Sequence, residues 1–154
     1  MASVHESFSL RPAVPSDAED IAACASAAYR QYIERIGKHP GPMLEDYPRL
    51  IETRQVWVAY TEGVLAGFLV LMRTDEGFLL DNVAVDPTHS GLGIGKALIQ
   101  LAEAEAKRQG HSAIYLYTHE KMTENQALYS RNGYSEYDRR AEKGYERVFM
   151  RKQL

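Results

Sequence analysis

Asp81-Asn82-Val83-Ala84-Val85-Asp86-Pro87-Thr88-His89-Ser90-Gly91-Leu92-Gly93-Ile94-Gly95-Lys96 is the stretch whose reading decides the fold. An apolar, β-branched run closes at Pro87, glycines follow at 91, 93 and 95, and a helical pattern then sets in. Ile94, Ala97, Leu98, Leu101 and Ala102 recur at the three- and four-residue steps of one helix face. The stretch therefore reads strand, glycine turn, helix. Glycines let the backbone turn tightly and let a ligand approach with no Cβ in the way. The first turn of the helix adds unpaired N–H donors and the positive end of the dipole, a ready site for phosphate. That turn carries no Asp or Glu but does carry Lys96. The dipole alone disfavours a cation there by about 0.3–1 kcal/mol, and a bound anion beside Lys96 reverses the sign.

Spacing separates this loop from three other nucleotide-binding arrangements. A P-loop needs G-x-x-x-x-G-K followed by Ser or Thr; Ser90 stands where its first glycine belongs, and Ala97 follows Lys96. A dinucleotide fingerprint needs G-x-G-x-x-G in a first βαβ unit; Lys96 occupies the third-glycine position, and the motif lies in mid-chain. A kinase glycine loop joins two strands, whereas this one opens a helix.

The chain of 154 residues is 45% hydrophobic, enough for one compact domain spanning 1–154 with an ordinary core. A net charge of −3 gives no general basic footprint for nucleic acid. Cys24 is the only cysteine and sits in an Ala-rich helical pattern. An intrachain disulfide is excluded, no metal site is expected, and a small buried filler is its expected role. No signal-peptide core and no apolar run of about 20 residues is found, so a cytoplasmic protein without a membrane partner is expected.

Outward from the glycine stretch, the elements read as follows. Phe8, Leu10 and Val14 suggest a first strand. Ser16 and Glu19 form a capping-box pattern before a helix whose steps, Ile21, Ala25, Ala28, Tyr32 and Ile36, run to Gly37. Lys38 to Pro42 is a loop, and Met43 to Thr53 a weaker helix bent near Pro48. Val56 to Tyr60 and Val64 to Met72 are strands joined at Glu62-Gly63, and Phe78 to Val85 is the strand feeding the glycine turn. After a helix ending at Gly110, Ala113 to Thr118 is a strand. Thr123 and Gln126 form a second capping-box pattern, with Gly133 as the stop. Two strands around a polar turn, Arg140 to Gly144, close the chain. The order β-α-α-β-β-β-α-β-α-β-β belongs to no doubly wound sheet.

The glycine stretch resembles the phosphate-binding signature of the GCN5-related N-acetyltransferases, V-x-P-x-x-[QR]-G-x-G-[IV]-G. Val85, Pro87, Gly91, Gly93, Ile94 and Gly95 fall on it, and Ser90 replaces the usual Gln or Arg. The segment from Asn125 to Tyr134 resembles the family's N-x-x-A-x-x-x-Y-x-x-x-G-[FY] region, slightly compressed between Ala127 and Tyr129. The element order also matches. The resemblance implies an α/β (α+β) fold, a mixed, mostly antiparallel sheet with helices on both faces. It implies acetyl-CoA as co-substrate, its pyrophosphate wrapped by Ser90, Gly91, Leu92, Gly93, Ile94, Gly95 and Lys96. The pantetheine would lie along Val83, Ala84 and Val85, with the Val83 N–H on the thioester oxygen. A homodimer through the final strands, Tyr145 to Met150, is also expected from the family's habits.

Acetyl transfer to an amine needs a bound thioester, a deprotonated amine, an oxyanion partner and a proton for the departing thiolate. Asn125 and Tyr129 are four apart and so share one helix face. By resemblance Tyr129 protonates the thiolate and Asn125 contacts the cofactor. Asp81 lies on the strand face of Val85 and is a candidate base. An aspartate with a pKa near 3.9 orients a water or holds the cation rather than taking the proton directly. His119 titrates in the right range and is the rival base. Tyr29, Tyr32 and Glu34 are candidates for contact with the acceptor, as is the Lys38 to Pro42 loop with the Arg140 to Gly144 turn opposite. The expected acceptor is an amine of a small molecule or a peptide. Two alternatives stand beside this reading: a non-catalytic acyl-CoA-binding regulatory module on the same fold, and an acyltransferase for another acyl group or an oxygen acceptor.

Overall fold

In a computed structural model the described residues are 8–154. Seven strands follow the order β1-β2-β3-β4-β5-β7-β6. They are β1 (Ser9–Pro12), β2 (Gln55–Thr61), β3 (Val64–Thr74), β4 (Gly77–Val85), β5 (Ala113–His119), β6 (Ser135–Glu142) and β7 (Tyr145–Gln153). The pairs β1–β2, β2–β3, β5–β7 and β6–β7 are antiparallel, while β4 and β5 run parallel. The helices are α1 (Ala18–Tyr29), α2 (Ile33–Ile36), α3 (Tyr47–Thr53), α4 (Ile94–Arg108) and α5 (Thr123–Arg131). The chain divides into two compact units: one runs to Leu71 and includes Asn82–Ala102, the other comprises Met72–Asp81 and Glu103–Leu154.

In the first unit, the β2–β3 hairpin turns at Glu62 (φ 51°) and Gly63 (φ 78°), the two consecutive positive-φ residues that match the twist of a hairpin. Its core includes Ile21, Ala25, Val58, Phe68, Leu69 and Leu71, all fully buried. Gly67 on β3 is the close-packing point: a Cβ there would come within 2.9 Å of the Ala84 carbonyl and 3.1 Å of Ile94 Cγ2. Cys24 is a buried filler, and burial pushes its thiol up to about 12.

Three expectations for this unit change. The residue at the N-terminal boundary of α1 is Asp17, not Ser16; its carboxylate accepts from the Val14 N–H at 2.8 Å and so caps the short 3₁₀ turn, Pro15–Asp17, that precedes the helix, with no side-chain cap on α1 itself. Arg11 and Tyr60 also bond to Asp17, which a serine hydroxyl could not hold together. The helix does not run unbroken to Gly37; a 3₁₀ turn, Arg30–Tyr32, separates α1 from α2. Pro48 does not bend a longer helix but sits in the first turn of α3, where its missing N–H costs nothing. Asp46 caps that helix by accepting from the Arg49 N–H.

In the second unit, Leu79, Tyr115 and Phe149 form a small core bordered by Met72, Tyr117 and Tyr137. Gly133 (φ 93°) follows α5 as expected. Thr123 and Gln126 do not form a capping box. The Gln126 amide instead donates back to the carbonyls of His119 and Glu120 at 3.2 and 2.9 Å. The closing turn is Lys143-Gly144 alone, both at positive φ, and Arg140 is inside β6. Tyr145 to Met150 is not an open edge either: β7 lies between β5 and β6, which satisfies its backbone on both sides. Among the described residues β6 is the edge strand there, and its charged sequence is of the kind that discourages edge pairing.

Candidate active site

In the first unit β4 delivers the chain into the glycine loop. The Asp86 N–H bonds the Ala66 carbonyl on β3 at 2.8 Å. The Asp86 carboxylate then accepts from the Thr88 N–H (2.9 Å) and hydroxyl (2.7 Å), which fixes the 3₁₀ turn Pro87–His89. Burial alone would raise the Asp86 pKa, but the Thr88 bonds outweigh it and hold the carboxyl below its ordinary value. The Ser90 hydroxyl donates to the Pro87 carbonyl at 3.0 Å, so this side chain closes the turn.

Gly91 (φ 83°) and Gly93 (φ 84°) follow in the left-handed region, with open space where a Cβ would project. The Ala97 N–H bonds the Gly93 carbonyl at 3.0 Å. The N–H groups of Ile94, Gly95 and Lys96 thus precede the first intrahelical donor of α4. No acidic residue occupies that turn. Ser90, Gly91, Leu92, Gly93 and Lys96 are exposed, while Ile94 is buried and anchors the helix start.

Backbone direction on β4 follows from the same Asp86 bond. In an extended strand a residue's N–H and C=O point to one edge, and the edge alternates from residue to residue. Asp86 faces β3, so Ala84 and Asn82 face β3 as well, and Val83 and Val85 present N–H and C=O to the opposite edge. The parallel ladder with β5 is registered at Leu79↔Tyr115 and Leu80↔Leu116. The Tyr29 hydroxyl lies 2.6 Å from Asn82 Oδ1 and 3.4 Å from the Val83 carbonyl. Tyr29 and Tyr32 are both buried, with ring centroids 6.3 Å apart, and Glu34 is exposed on α2.

In the second unit the Tyr117 hydroxyl donates to Asp81 Oδ1 at 3.1 Å. The Arg147 guanidinium lies 4.2 Å from the centre of the Tyr117 ring and pairs with Glu142 at 3.0 Å. His119, at the end of β5, accepts the Lys121 N–H on Nδ1 at 3.0 Å. In the neutral ring the proton is therefore on Nε2. Tyr129 is buried on α5, its ring edge-on to Tyr134 at 6.0 Å. The Tyr134 hydroxyl donates to Glu103, which also accepts from Lys152 at 3.1 Å. Burial and then Glu103 hold the Tyr134 phenol protonated, far above its ordinary pKa. Asn125 is half-buried in the first turn of α5, its amide 3.7 Å from Met122 Sδ.

The structure thus joins Tyr29 to the Val83 segment and Asp81 to Tyr117. Sequence reasoning overlooked Asn82 and Tyr117. A lone buried amide in the apolar run Leu79 to Val85 was the available signal for the first. Tyr117 had no signal, because its importance lies in a bond to a residue 36 positions away. Among the described residues no group of three or more His, Cys, Asp or Glu is placed to hold a metal. No helix there is long and apolar enough to cross a membrane.

Residues 52–136 match the family model described as Acetyltransferase (GNAT) domain. No curated protein matches the chain in sequence. Solved structures do match in fold. A GNAT-family acetyltransferase from Staphylococcus aureus Mu50 is 22% identical, with 96% of this chain and 99% of that one covered at a TM-score of 0.79. PaiA N-acetyltransferase from Thermoplasma acidophilum, in complex with coenzyme A, is 20% identical over 96% and 99% at 0.76. The ribosomal-protein-S18-alanine N-acetyltransferase of Escherichia coli is 17% identical over 96% and 94% at 0.72. With more than half of its length under the family model and the strand–glycine loop–helix unit in place, the chain belongs to the GCN5-related N-acetyltransferase family and is an acyltransferase.

Proposed function

We propose that residues 1–154 act as one N-acetyltransferase domain that moves the acetyl group of acetyl-CoA directly to a primary amine of a small molecule or peptide, both bound together. The observation that carries this is the loop between β4 and α4. Two left-handed glycines with open space at their Cβ positions lead into a 15-residue helix whose first turn has no acid and one exposed lysine. Those features suit a pyrophosphate, which backbone N–H groups and Lys96 would hold. The Thermoplasma structure similar to this chain contains coenzyme A, which supports the same ligand here.

When bound, acetyl-CoA supplies an activated acyl group as a thioester. The protein's part is to bind and orient it and to move protons. The Val83 N–H, on the β4 edge away from β3, is assigned to the thioester oxygen. Asp81, which accepts the Tyr117 hydroxyl at 3.1 Å, is assigned to a water or the ammonium of the acceptor. His119 stays the rival base, but its lone pair is on Nδ1 and is held by the Lys121 N–H, so taking up a proton there requires that bond to break. Tyr129 is assigned to protonating the departing sulfur, and Asn125 to a cofactor contact.

The test is an acceptor screen with acetyl-CoA and free-thiol detection, across polyamines, amino acids, aminoglycosides, peptide N-termini and lysine peptides. Thiol release that depends on an amine, with an acetylated product by mass, supports the reading. Tight acetyl-CoA binding with no turnover on any acceptor favours the regulatory module.

A further inference from the structure

Tyr29 is 7% exposed and Asn82 is 8% exposed. Their hydroxyl–amide bond, at 2.6 Å, joins α1 to β4 across 53 residues. We infer that Tyr29 is a positioning residue: by holding Asn82 Oδ1 it fixes the plane in which the adjoining Val83 N–H is offered to the thioester oxygen. This rests on the reading of Val83 proposed above.

Two observations lead there. First, the Val83 N–H and C=O point to the same edge of β4, the edge opposite β3. The Tyr29 hydroxyl, 3.4 Å from that carbonyl, is therefore a neighbour of the N–H in question. Second, the phenol has one proton to donate and lies 2.6 Å from Asn82 Oδ1 but 3.4 Å from the Val83 carbonyl, so the amide takes the bond. The Asn82 bond sets where the hydroxyl sits, and its longer contact with the Val83 carbonyl is then a consequence of that placement. A donor aimed at a reacting carbonyl is worth most when it needs no reorganisation as charge develops, which gives such a restraint a catalytic effect without touching the substrate.

The experiment uses the full chain and acetyl-CoA labelled with ¹³C at the thioester carbonyl, so no acceptor need be known. Difference infrared spectra report the polarisation of the bound carbonyl, and calorimetry reports affinity. In the wild type the carbonyl band should shift to lower frequency than in free acetyl-CoA. In Tyr29→Phe, which keeps the ring against Tyr32, most of that shift should vanish while affinity changes less than about threefold. Asn82→Ala should lose the shift as well, and it decides the matter if the phenylalanine variant does not fold. A wild-type shift retained in full by either folded variant overturns the positioning role. No shift in the wild type itself overturns the assignment of the Val83 N–H, a different failure from the first.

Discussion

Arg11 grips Asp17 with both arms of its guanidinium, Nη1 at 2.9 Å from one carboxylate oxygen and Nη2 at 3.0 Å from the other. The same carboxylate accepts the Tyr60 hydroxyl at 2.9 Å and the Val14 N–H at 2.8 Å. One buried acid thus ties the end of β1, the approach to α1 and strand β2 together.

The Arg11 guanidinium, with the Val14 and Tyr60 bonds offsetting the cost of burial, lowers the Asp17 pKa from 3.8 to about 2. A carboxyl depressed in the folded state stabilises it fully above the unfolded pKa and loses that contribution as pH falls through the folded value. The window is about pH 4 down to pH 2. The shift corresponds to at most about 2 kcal/mol, and solvent around the 43%-exposed Arg11 side chain reduces it toward about 1. Urea unfolding from pH 7 to pH 2 should show a loss of stability in this window that Asp17→Asn lacks. Equal acid slopes for the two proteins would remove Asp17 as its source.

Gly67→Ala should destabilise the protein by about 1–3 kcal/mol, the usual range for overpacking. Its new Cβ meets the Ala84 carbonyl at 2.9 Å, Ile94 Cγ2 at 3.1 Å and Leu98 Cδ1 at 3.3 Å. The backbone carbonyl cannot swing aside as a side-chain end could. Because β4 and the first turn of α4 must give way, acetyl-CoA affinity should also fall. Denaturation and calorimetry on the same sample check both, and an unchanged midpoint would show that the helix shifts freely over the strand.

Gly93→Val should weaken acetyl-CoA binding at least about tenfold, roughly 1.4 kcal/mol. The substitution also strains the backbone, since φ is +84° and a β-branched residue resists that region. Gly63→Val separates the two effects. Its φ is +78°, its Cβ also meets open space, and it lies in the β2–β3 turn. Both variants should lose stability, but only the Gly93 variant should lose affinity. Parallel losses of affinity would mean that strain, not the collision with the ligand, is being read.

The glycine loop was legible because its consequences are local: alternating glycines before an amphipathic run permit few backbone paths. Strand and helix order was legible for the same reason. The caps were not, because Ser16 and Asp17 are both competent N-terminal residues and only the distant Arg11 and Tyr60 choose between them. Pro48 signalled an irregularity, yet a proline fits a first turn as well as a bend. Tyr29 carried a helical period and an aromatic ring, which describe core and binding surface equally well. Its hydroxyl bond to Asn82 is made by tertiary packing, and no periodicity records it.

Tyr129→Phe tests the proton donor. The ring is buried and edge-on to Tyr134, so phenylalanine keeps the packing and should leave acetyl-CoA affinity almost unchanged. The neighbouring Tyr134 hydroxyl is already committed to Glu103 at 3.0 Å, so it does not replace the lost phenol. If Tyr129 protonates the departing thiolate, transfer should slow about 10²-fold or more, the usual worth of a positioned acid. An interaction made chiefly in the transition state lowers kcat and kcat/KM together, whereas a binding contact raises KM alone. Coenzyme A's thiol is a fairly good leaving group, so steady-state rates report the acid only where attack by the amine is not limiting. Single-turnover kinetics with saturating acceptor remove that ambiguity. A wild-type rate in the phenylalanine variant would return Tyr129 to the core and leave solvent as the proton source.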